Sequence, residues 1–160
     1  MLTEKDYKFL KRAVELAKLA LNKGEEPFGS VLVSESGEIL FEGHNETVSI
    51  DATRHPEFEI ARWAAKNLTP EERKKATVYT SGEHCPMCAA AHGWAGLGRI
   101  IYAASSKQLT TWLTEFGAPP ARVKPIPIQE VISDVEVIGP VDEFSEILKS
   151  YHKQNFENKK

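Results

Sequence analysis

The sequence predicts an α/β sandwich with a partly parallel sheet. Three observations support this fold class: a first segment with helical apolar spacing, a hairpin signal after it, and then helices that alternate with short apolar runs typical of strands. At 160 residues the chain is large enough to bury one hydrophobic core without disulfide or metal staples. We therefore expect a single domain over residues 1–160.

The first elements are a helix and a hairpin. Thr3 and Asp6 resemble a capping box, apolar residues then recur at helical spacing, and Gly24 provides a C-terminal stop. Two short apolar runs follow, Val31–Val33 and Ile39–Phe41, on either side of a Ser-Gly turn. This pattern predicts two strands joined by a tight turn.

Helices and strands alternate in the middle of the chain. Two of the helices begin at a proline, which is well placed in a first helical turn. The predicted elements are a helix from about Pro56 to Leu68, the strand TVYTS, a helix from Pro86 to about Gly96 and the strand RIIYAA. Between the helix that begins at Pro56 and the strand TVYTS, two glutamates are followed by Arg73, Lys74 and Lys75. We expect a solvated turn there.

The last part of the chain is less regular. Four of the nine prolines lie in GAPPARVKPIPI, residues 117–128, which predicts an extended loop. A short strand is expected near Val135 to Ile138, and a terminal helix from about Asp142 to Phe156.

Charge and composition limit the classes of function. The net charge is −3, with no basic surface of the kind that nucleic acid requires, so we expect no nucleic-acid partner. The start MLTEKDYKFLKR is charged where a signal peptide is apolar, and no run is long enough to cross a bilayer. We therefore expect a cytoplasmic protein without membrane contact, in which paired cysteines more often bind metal or do redox chemistry than form a bridge.

The only two cysteines, Cys85 and Cys88, form a CxxC pair at a predicted helix start. Helix N-termini stabilise thiolates, and His55 stands at another helix start, immediately before Pro56. Two thiolates and one imidazole favour zinc, and three protein ligands leave a fourth position for water. The pattern therefore indicates a catalytic zinc site.

Glu57 is a candidate acid and base. Glu59, Arg62 and Lys66 form the polar stripe of its predicted helix, whereas Glu57 falls on the opposite, apolar side. Burial raises the pKa of a carboxyl group, which suits a group that exchanges protons near neutral pH. The alternative is a first-turn glutamate that complements the helix dipole.

Two alternative interpretations of the cysteine pair remain open when only the residues are considered. One is a thiol oxidoreductase, because a strand, a CxxC and a helix also begin a thioredoxin-like motif. The other is a structural zinc site built from Cys85, Cys88, His84 and His92, since positions 88 and 92 share a helix face.

HxE followed by CxxC is the signature of zinc-dependent deaminases. With PFG before the hairpin, Asn45 after it, and NFENKK at the C-terminal end, the chain resembles the guanine deaminase branch of the cytidine deaminase-like superfamily. The resemblance implies a three-layer α/β/α sandwich around a mixed, roughly five-stranded sheet. It also implies Zn²⁺ on His55, Cys85 and Cys88, with Glu57 transferring protons while an amino-substituted heterocycle is hydrolysed to its oxo product.

The resemblance further implies residues that contact the substrate. Asn45 would hydrogen-bond the ring, and Phe28 and Trp94 would form apolar walls of the substrate pocket. Glu115 would accept a hydrogen bond from the 2-amino group of guanine. Trp112 would line the mouth of the pocket or a subunit contact. Each has a plainer alternative, namely core packing, a turn or a solvated helix position. Guanine is the first-choice substrate; cytosine, adenine, a pterin, a triazine or a nucleoside would suit the same chemistry.

The chain departs from the family pattern at two positions. Pro56 replaces the usual alanine and has no N–H to offer the substrate, and His84 replaces the usual proline before the first cysteine. Relatives of this kind are typically homodimers. Some of them exchange the C-terminal segment, so that one subunit caps the pocket of the other. Residues 141–160 are therefore expected to form a helix that caps the active site, with Tyr151, His152 and Phe156 as lid residues, or else to pack on its own domain.

Overall fold

The computed structural model describes residues 1–160 and contains six α-helices and five strands. In chain order they are α1 (Glu4–Asn22), β1 (Gly29–Val33), β2 (Ile39–His44), α2 (Pro56–Asn67), α3 (Pro70–Lys75), β3 (Thr77–Gly82), α4 (Pro86–Ala95), β4 (Ile100–Ala104), α5 (Ser106–Phe116), β5 (Val137–Ile138) and α6 (Ser145–Asn158). Single 3-10 turns cover Ile128–Glu130 and Asp142–Phe144. No helix is both long and apolar enough to span a membrane.

The strands form one mixed sheet in the order β2-β1-β3-β4-β5. Strand β1 pairs antiparallel with β2, as the hairpin signal predicts, and antiparallel with β3. Strands β3, β4 and β5 run parallel, because α4 and the long segment after β4 return the chain to the same end of the sheet. The five-stranded mixed sheet predicted from the sequence is confirmed.

Helices cover both faces of this sheet. On one face α1 packs on the central strands, and its buried residues join Val31, Tyr79 and Ile101 in the largest apolar cluster. On the other face α2 and α4 lie side by side, and α2 packs on Leu32 and Val78. The result is a three-layer α/β/α sandwich, in which the N-termini of α2 and α4 lie on the same side of the sheet.

Two helices are present that the sequence analysis did not assign. The expected solvated turn is helix α3, which contains no buried residue and begins at a capping box between Thr69 and Glu72. Helix α5 begins at a capping box between Ser105 and Gln108 and ends at Gly117, whose φ of 92° is left-handed. Both follow the same local rules as α1, so their signals were present in the sequence.

Candidate metal centre and active site

Two helix N-termini bring the three predicted metal ligands together. His55 is the N-cap residue of α2 and Cys85 is the N-cap residue of α4, with a proline next to each in the first helical turn. Neither side chain caps its own helix, so both are free to point toward the space between the helices. Cys88 lies one turn farther along α4 and is fully buried.

The three ligand atoms form a nearly equilateral triangle. The His55 Nδ1 atom lies 3.5 Å from the Cys85 Sγ atom and 3.6 Å from the Cys88 Sγ atom, and the two sulfur atoms are 3.6 Å apart. Bonds of about 2.0–2.3 Å to a tetrahedral zinc ion place such ligand atoms about 3.5–3.8 Å from one another. The donor set and its spacing therefore fit zinc, with one coordination position left open.

The electrostatics of the cysteine pair favour a thiolate even without a metal. The hydrogen bond shared with Cys88 lowers the pKa of Cys85 to about 4, and the bond to His55 acts in the same direction. The same shared bond, together with burial, raises the pKa of Cys88. Because metal ions bind thiolates, the second proton leaves when the metal binds.

Glu57 lies in the second position of α2 and is only 5% exposed, which confirms its predicted burial. Burial raises the pKa of its carboxyl group, and hydrogen bonds from two hydroxyl groups offset part of that effect. The Ser30 Oγ atom donates at 2.7 Å and the Thr80 Oγ1 atom at 3.1 Å, both to the Oε1 atom. The Oε2 atom is left for other partners.

A cavity of about 280 Å³ opens beside the ligand triangle. Its volume suits a small molecule of one or two rings rather than a large ligand. Its inner end consists of His55, Glu57 and Cys85, and its walls include Phe28, Asn45, Pro56, Pro86, Leu109, Leu113, Val123 and Pro125. A mostly apolar cavity with a few polar groups at its closed end is typical of a site for a heterocycle.

Asn45 lines this cavity with a fixed orientation. Its side chain is buried, and the Oδ1 atom accepts hydrogen bonds from the backbone N–H and the hydroxyl of Thr47, at 2.9 and 2.7 Å. This network assigns the amide nitrogen to the cavity side, where it presents an N–H donor. Phe28 and Pro56 also line the cavity, as expected from the sequence.

Three other residues predicted to contact the substrate do not line the cavity. Trp94 is 91% exposed at the far end of α4 from Cys85. Glu115 lies two residues beyond Leu113, on another face of α5, and its carboxylate pairs with the Lys149 ammonium at 3.0 Å. Trp112 is buried in the main apolar core, away from any mouth of the cavity. Within this chain, Trp112 is therefore a core residue, and Glu115 is a solvated residue on the surface of helix α5.

Within the single chain, helix α6 packs on its own domain, and none of its residues lines the cavity of that chain. The His152 ring lies between Phe28, at a centroid distance of 5.1 Å, and Trp112, at 6.2 Å. Phe156 packs on Phe116, and Tyr151 lies beneath Lys18. Helix α6 therefore supports the Phe28 wall from behind, which is the second arrangement considered for residues 141–160.

The two histidines of the alternative structural zinc site, His84 and His92, do not belong to a metal site. The His92 Nε2 atom is 2.7 Å from the carbonyl oxygen of Gly98, and the only cluster of ligand atoms is formed by His55 and the cysteines. His84 is fully buried, has no hydrogen-bond partner at either ring nitrogen, and packs edge-on against the His92 ring at 5.3 Å. The alternative interpretation, a structural zinc site with these two histidines as ligands, is therefore wrong.

Sequence reasoning missed the residues that support the site. Ser30 is a polar residue in the otherwise apolar, fully buried strand β1, and this contrast was a signal that it faces a polar partner. Thr80 lies in β3 beside other polar residues, so the sequence does not single it out. Glu83, Leu109 and Leu113 also line the cavity. Nothing in their local sequence distinguishes them from ordinary turn and helix residues.

Residues 3–104 match the model of the cytidine and deoxycytidylate deaminase zinc-binding region. The probable cytosine deaminase of Schizosaccharomyces pombe is 32% identical over 149 residues, which cover 92% of this chain and 91% of that protein. The guanine deaminase of Bacillus subtilis is 45% identical over 98 residues, or 60% of this chain and 62% of that protein. The tRNA-specific adenosine deaminase of Haemophilus influenzae is 38% identical over 104 residues, or 64% and 60%.

Solved structures show the same fold. A structure of guanine deaminase from Nitrosomonas europaea superposes with a TM-score of 0.67 at 18% identity, and the match covers 95% of this chain and 86% of that one. At this identity the likeness concerns the fold alone, and it agrees with the three-layer sandwich and mixed sheet described above.

Proposed function

The chain belongs to the cytidine and deoxycytidylate deaminase family, and from this membership we propose that it removes the amino group of a small heterocyclic base by hydrolysis. One observation carries the proposal. A buried carboxylate, Glu57, and a metal-ligand triangle meet at the closed end of a cavity of heterocycle size. A thiol oxidoreductase would leave both Glu57 and His55 without a role.

The residues that hold zinc in this proposal are His55, Cys85 and Cys88. When bound there, zinc supplies the Lewis acidity that makes a water molecule nucleophilic near neutral pH. The fully buried Cys88 and the half-buried Cys85 keep bulk water from one side of the triangle, and the cavity admits the ring from the other.

Glu57 moves the protons of the reaction. It takes one proton from the attacking water and gives it to the ring nitrogen next to the amine-bearing carbon. The same carboxyl then takes the proton of the hydroxyl group that was added to the carbon and gives it to the amine. The C–N bond breaks as the C=O bond forms, and ammonia departs. The hydroxyl groups of Ser30 and Thr80 hold its Oε1 atom in place during both transfers.

Asn45 orients the ring. Its amide N–H faces the cavity and donates to an acceptor on the substrate, either a carbonyl oxygen or an unprotonated ring nitrogen. This donor is needed because Pro56, between the metal ligand and Glu57, has no backbone N–H. Phe28 provides an apolar face against which the ring packs.

We propose guanine as the first substrate to test. Guanine deaminase of Bacillus subtilis is 45% identical to this chain over 98 residues. A second candidate, cytosine, is favoured by a specific observation: Glu115, the predicted acceptor for the 2-amino group of guanine, pairs with Lys149 away from the cavity. A probable cytosine deaminase also aligns over 92% of this chain.

We propose further that the protein acts in the cytoplasm, as a homodimer, on free small molecules. The net charge of −3 offers little attraction for the phosphates of a transfer RNA. A transfer RNA is nonetheless included among the substrates to be tested, because tRNA-specific adenosine deaminases are among the relatives.

The test is a measurement of bound zinc followed by an ammonia-release screen over guanine, cytosine, adenine, a pterin, a triazine, their nucleosides and a transfer RNA. Guanine is expected to react fastest. Reaction of cytosine with guanine inert selects the second candidate, and reaction of the transfer RNA alone overturns the small-molecule proposal. Zinc-loaded protein that releases ammonia from none of them contradicts the proposed function.

A further inference from the structure

Glu83 occupies a junction between the metal centre and the outer part of the cavity. It follows the end of β3 and stands two residues before Cys85, and its backbone N–H donates to the carbonyl oxygen of Ala104, at the end of β4, at 2.8 Å. The backbone of Glu83 is therefore held by the two parallel strands at the centre of the sheet.

The carboxylate of Glu83 accepts hydrogen bonds from two distant segments. The backbone N–H of Ser106 donates to the Oε1 atom at 2.9 Å, and that of Ile128 donates to the Oε2 atom at 3.0 Å. Ser106 is the first residue of α5, so its amide has no partner within the helix. Ile128 is fully buried and ends the proline-rich segment that follows α5.

These two segments are the outer walls of the cavity. Helix α5 contributes Leu109 and Leu113, and the proline-rich segment contributes Val123 and Pro125. Every residue from 119 to 127 is exposed, so burial does not hold this segment in place. Its C-terminal end is fixed at Ile128, where the amide meets Glu83 and the side chain enters the core.

We propose that Glu83 is a positioning residue that sets the distance between the metal centre and both outer walls of the cavity. The proposal rests on the proposed function, since it assigns those walls to substrate binding. Each carboxylate oxygen accepts a hydrogen bond from the backbone amide of one wall, so the side chain ties both walls to the end of β3. It acts through the walls, and its loss weakens binding of the ring more than it slows the chemistry.

The first test is Glu83→Gln, which keeps the shape of the side chain but turns one acceptor into an N–H₂ group that faces a backbone amide. For the faster of guanine and cytosine, KM should rise about tenfold while kcat falls less than about threefold, because the wall contacts act on binding. Zinc content should stay at the wild-type level. The matched control is Glu130→Gln, an exposed carboxylate in the 3-10 turn after Ile128 that forms no hydrogen bond.

A readout independent of activity is amide hydrogen exchange of the zinc-loaded protein without substrate. In Glu83→Gln, exchange should speed up in the peptides that contain Ser106 and Ile128 and stay unchanged in α1 and α2. This result supports the positioning role even if no base in the screen is deaminated. Unchanged protection at both segments overturns the proposal, and so does a fall in kcat with KM unchanged.

A second variant tests the same bond from its other partner. Proline is favoured at the first position of a helix, and Ser105 already has the extended backbone (φ −79°, ψ 159°) that a following proline requires. Ser106→Pro therefore removes the donor N–H within an intact helix, while Ser106→Ala removes the hydroxyl and keeps the N–H. A higher KM in the proline variant than in the alanine variant supports the proposal, even if Glu83→Gln does not fold. Equal KM values overturn it.

Discussion

The hydroxyl group of Ser30 donates a hydrogen bond of 2.7 Å to the Oε1 atom of Glu57. Ser30 lies on β1 and Glu57 on the first turn of α2, so the bond crosses from the sheet to the helix layer. Thr80 on β3 donates to the same oxygen atom. Two central strands thus fix the orientation of the one carboxylate that borders the metal triangle.

Ser30→Ala tests this support. A hydrogen bond to a charged group contributes roughly 1.5–3 kcal/mol, so a mobile Glu57 should lower kcat about tenfold or more. Zinc content should not change, because Ser30 touches no metal ligand. Steady-state kinetics of ammonia release and zinc analysis check both expectations. The control is Ser36→Ala, an exposed hydroxyl in the turn of the same hairpin; equal kcat values for the two variants would show that Ser30 has no such role.

Asn45→Asp tests the direction of the hydrogen bond to the substrate. The substitution keeps the shape of the side chain but replaces the N–H₂ donor with an acceptor oxygen, so a ring acceptor meets an unpaired carboxylate. We expect KM to rise about a hundredfold or more, in line with the loss of a buried, matched hydrogen bond. Asn158→Asp, in the exposed end of α6, makes the same chemical change away from the cavity. Retained affinity in the Asn45 variant would contradict the assigned orientation.

His152 predicts a pH dependence of stability. Burial lowers its pKa from 6.5 to about 4, so between these values the unfolded chain binds a proton that the folded chain does not. Stability is therefore fully present above about pH 6.5 and is lost as the pH falls toward 4. The contribution of this residue is about 3 kcal/mol over that range, as an order of magnitude.

The measurement is the free energy of unfolding in denaturant at several pH values between 7 and 4. His152→Phe keeps the aromatic packing on Phe28 and Trp112 but removes the titrating ring, so its stability should fall less steeply with acid than that of the wild type. His92, whose pKa burial also lowers to about 4, keeps a similar dependence in both proteins. Identical slopes for the two proteins would show that His152 does not contribute.

Much of the fold follows from local signals that the sequence contains. The capping box of α1, the Ser-Gly turn of the hairpin and the prolines that begin α2 and α4 each set the boundary of an element within a residue or two. The metal ligands and Glu57 were identifiable because their residue types and spacing are unusual together. His55 and Cys85 lie at helix starts, which explains why two distant motifs meet.

The substrate contacts were harder to predict, because they depend on which side of a helix faces the cavity. In α5 the cavity side carries Leu109 and Leu113, so Glu115 turns toward α6 and Lys149. Trp94 lies at the end of α4 that is remote from Cys85. The role assigned to Glu83 depends on backbone amides of two distant segments, which no side-chain pattern reveals.

The most direct test of the central claim compares Glu57→Gln with His55→Ala in zinc content and in ammonia release. The glutamine variant should bind zinc as the wild type does and lose at least about a thousandfold in kcat, since the proton carrier is gone while the ligand triangle is intact. The alanine variant should lose both zinc and activity. A Glu57→Gln protein that retains full ammonia release would contradict the account.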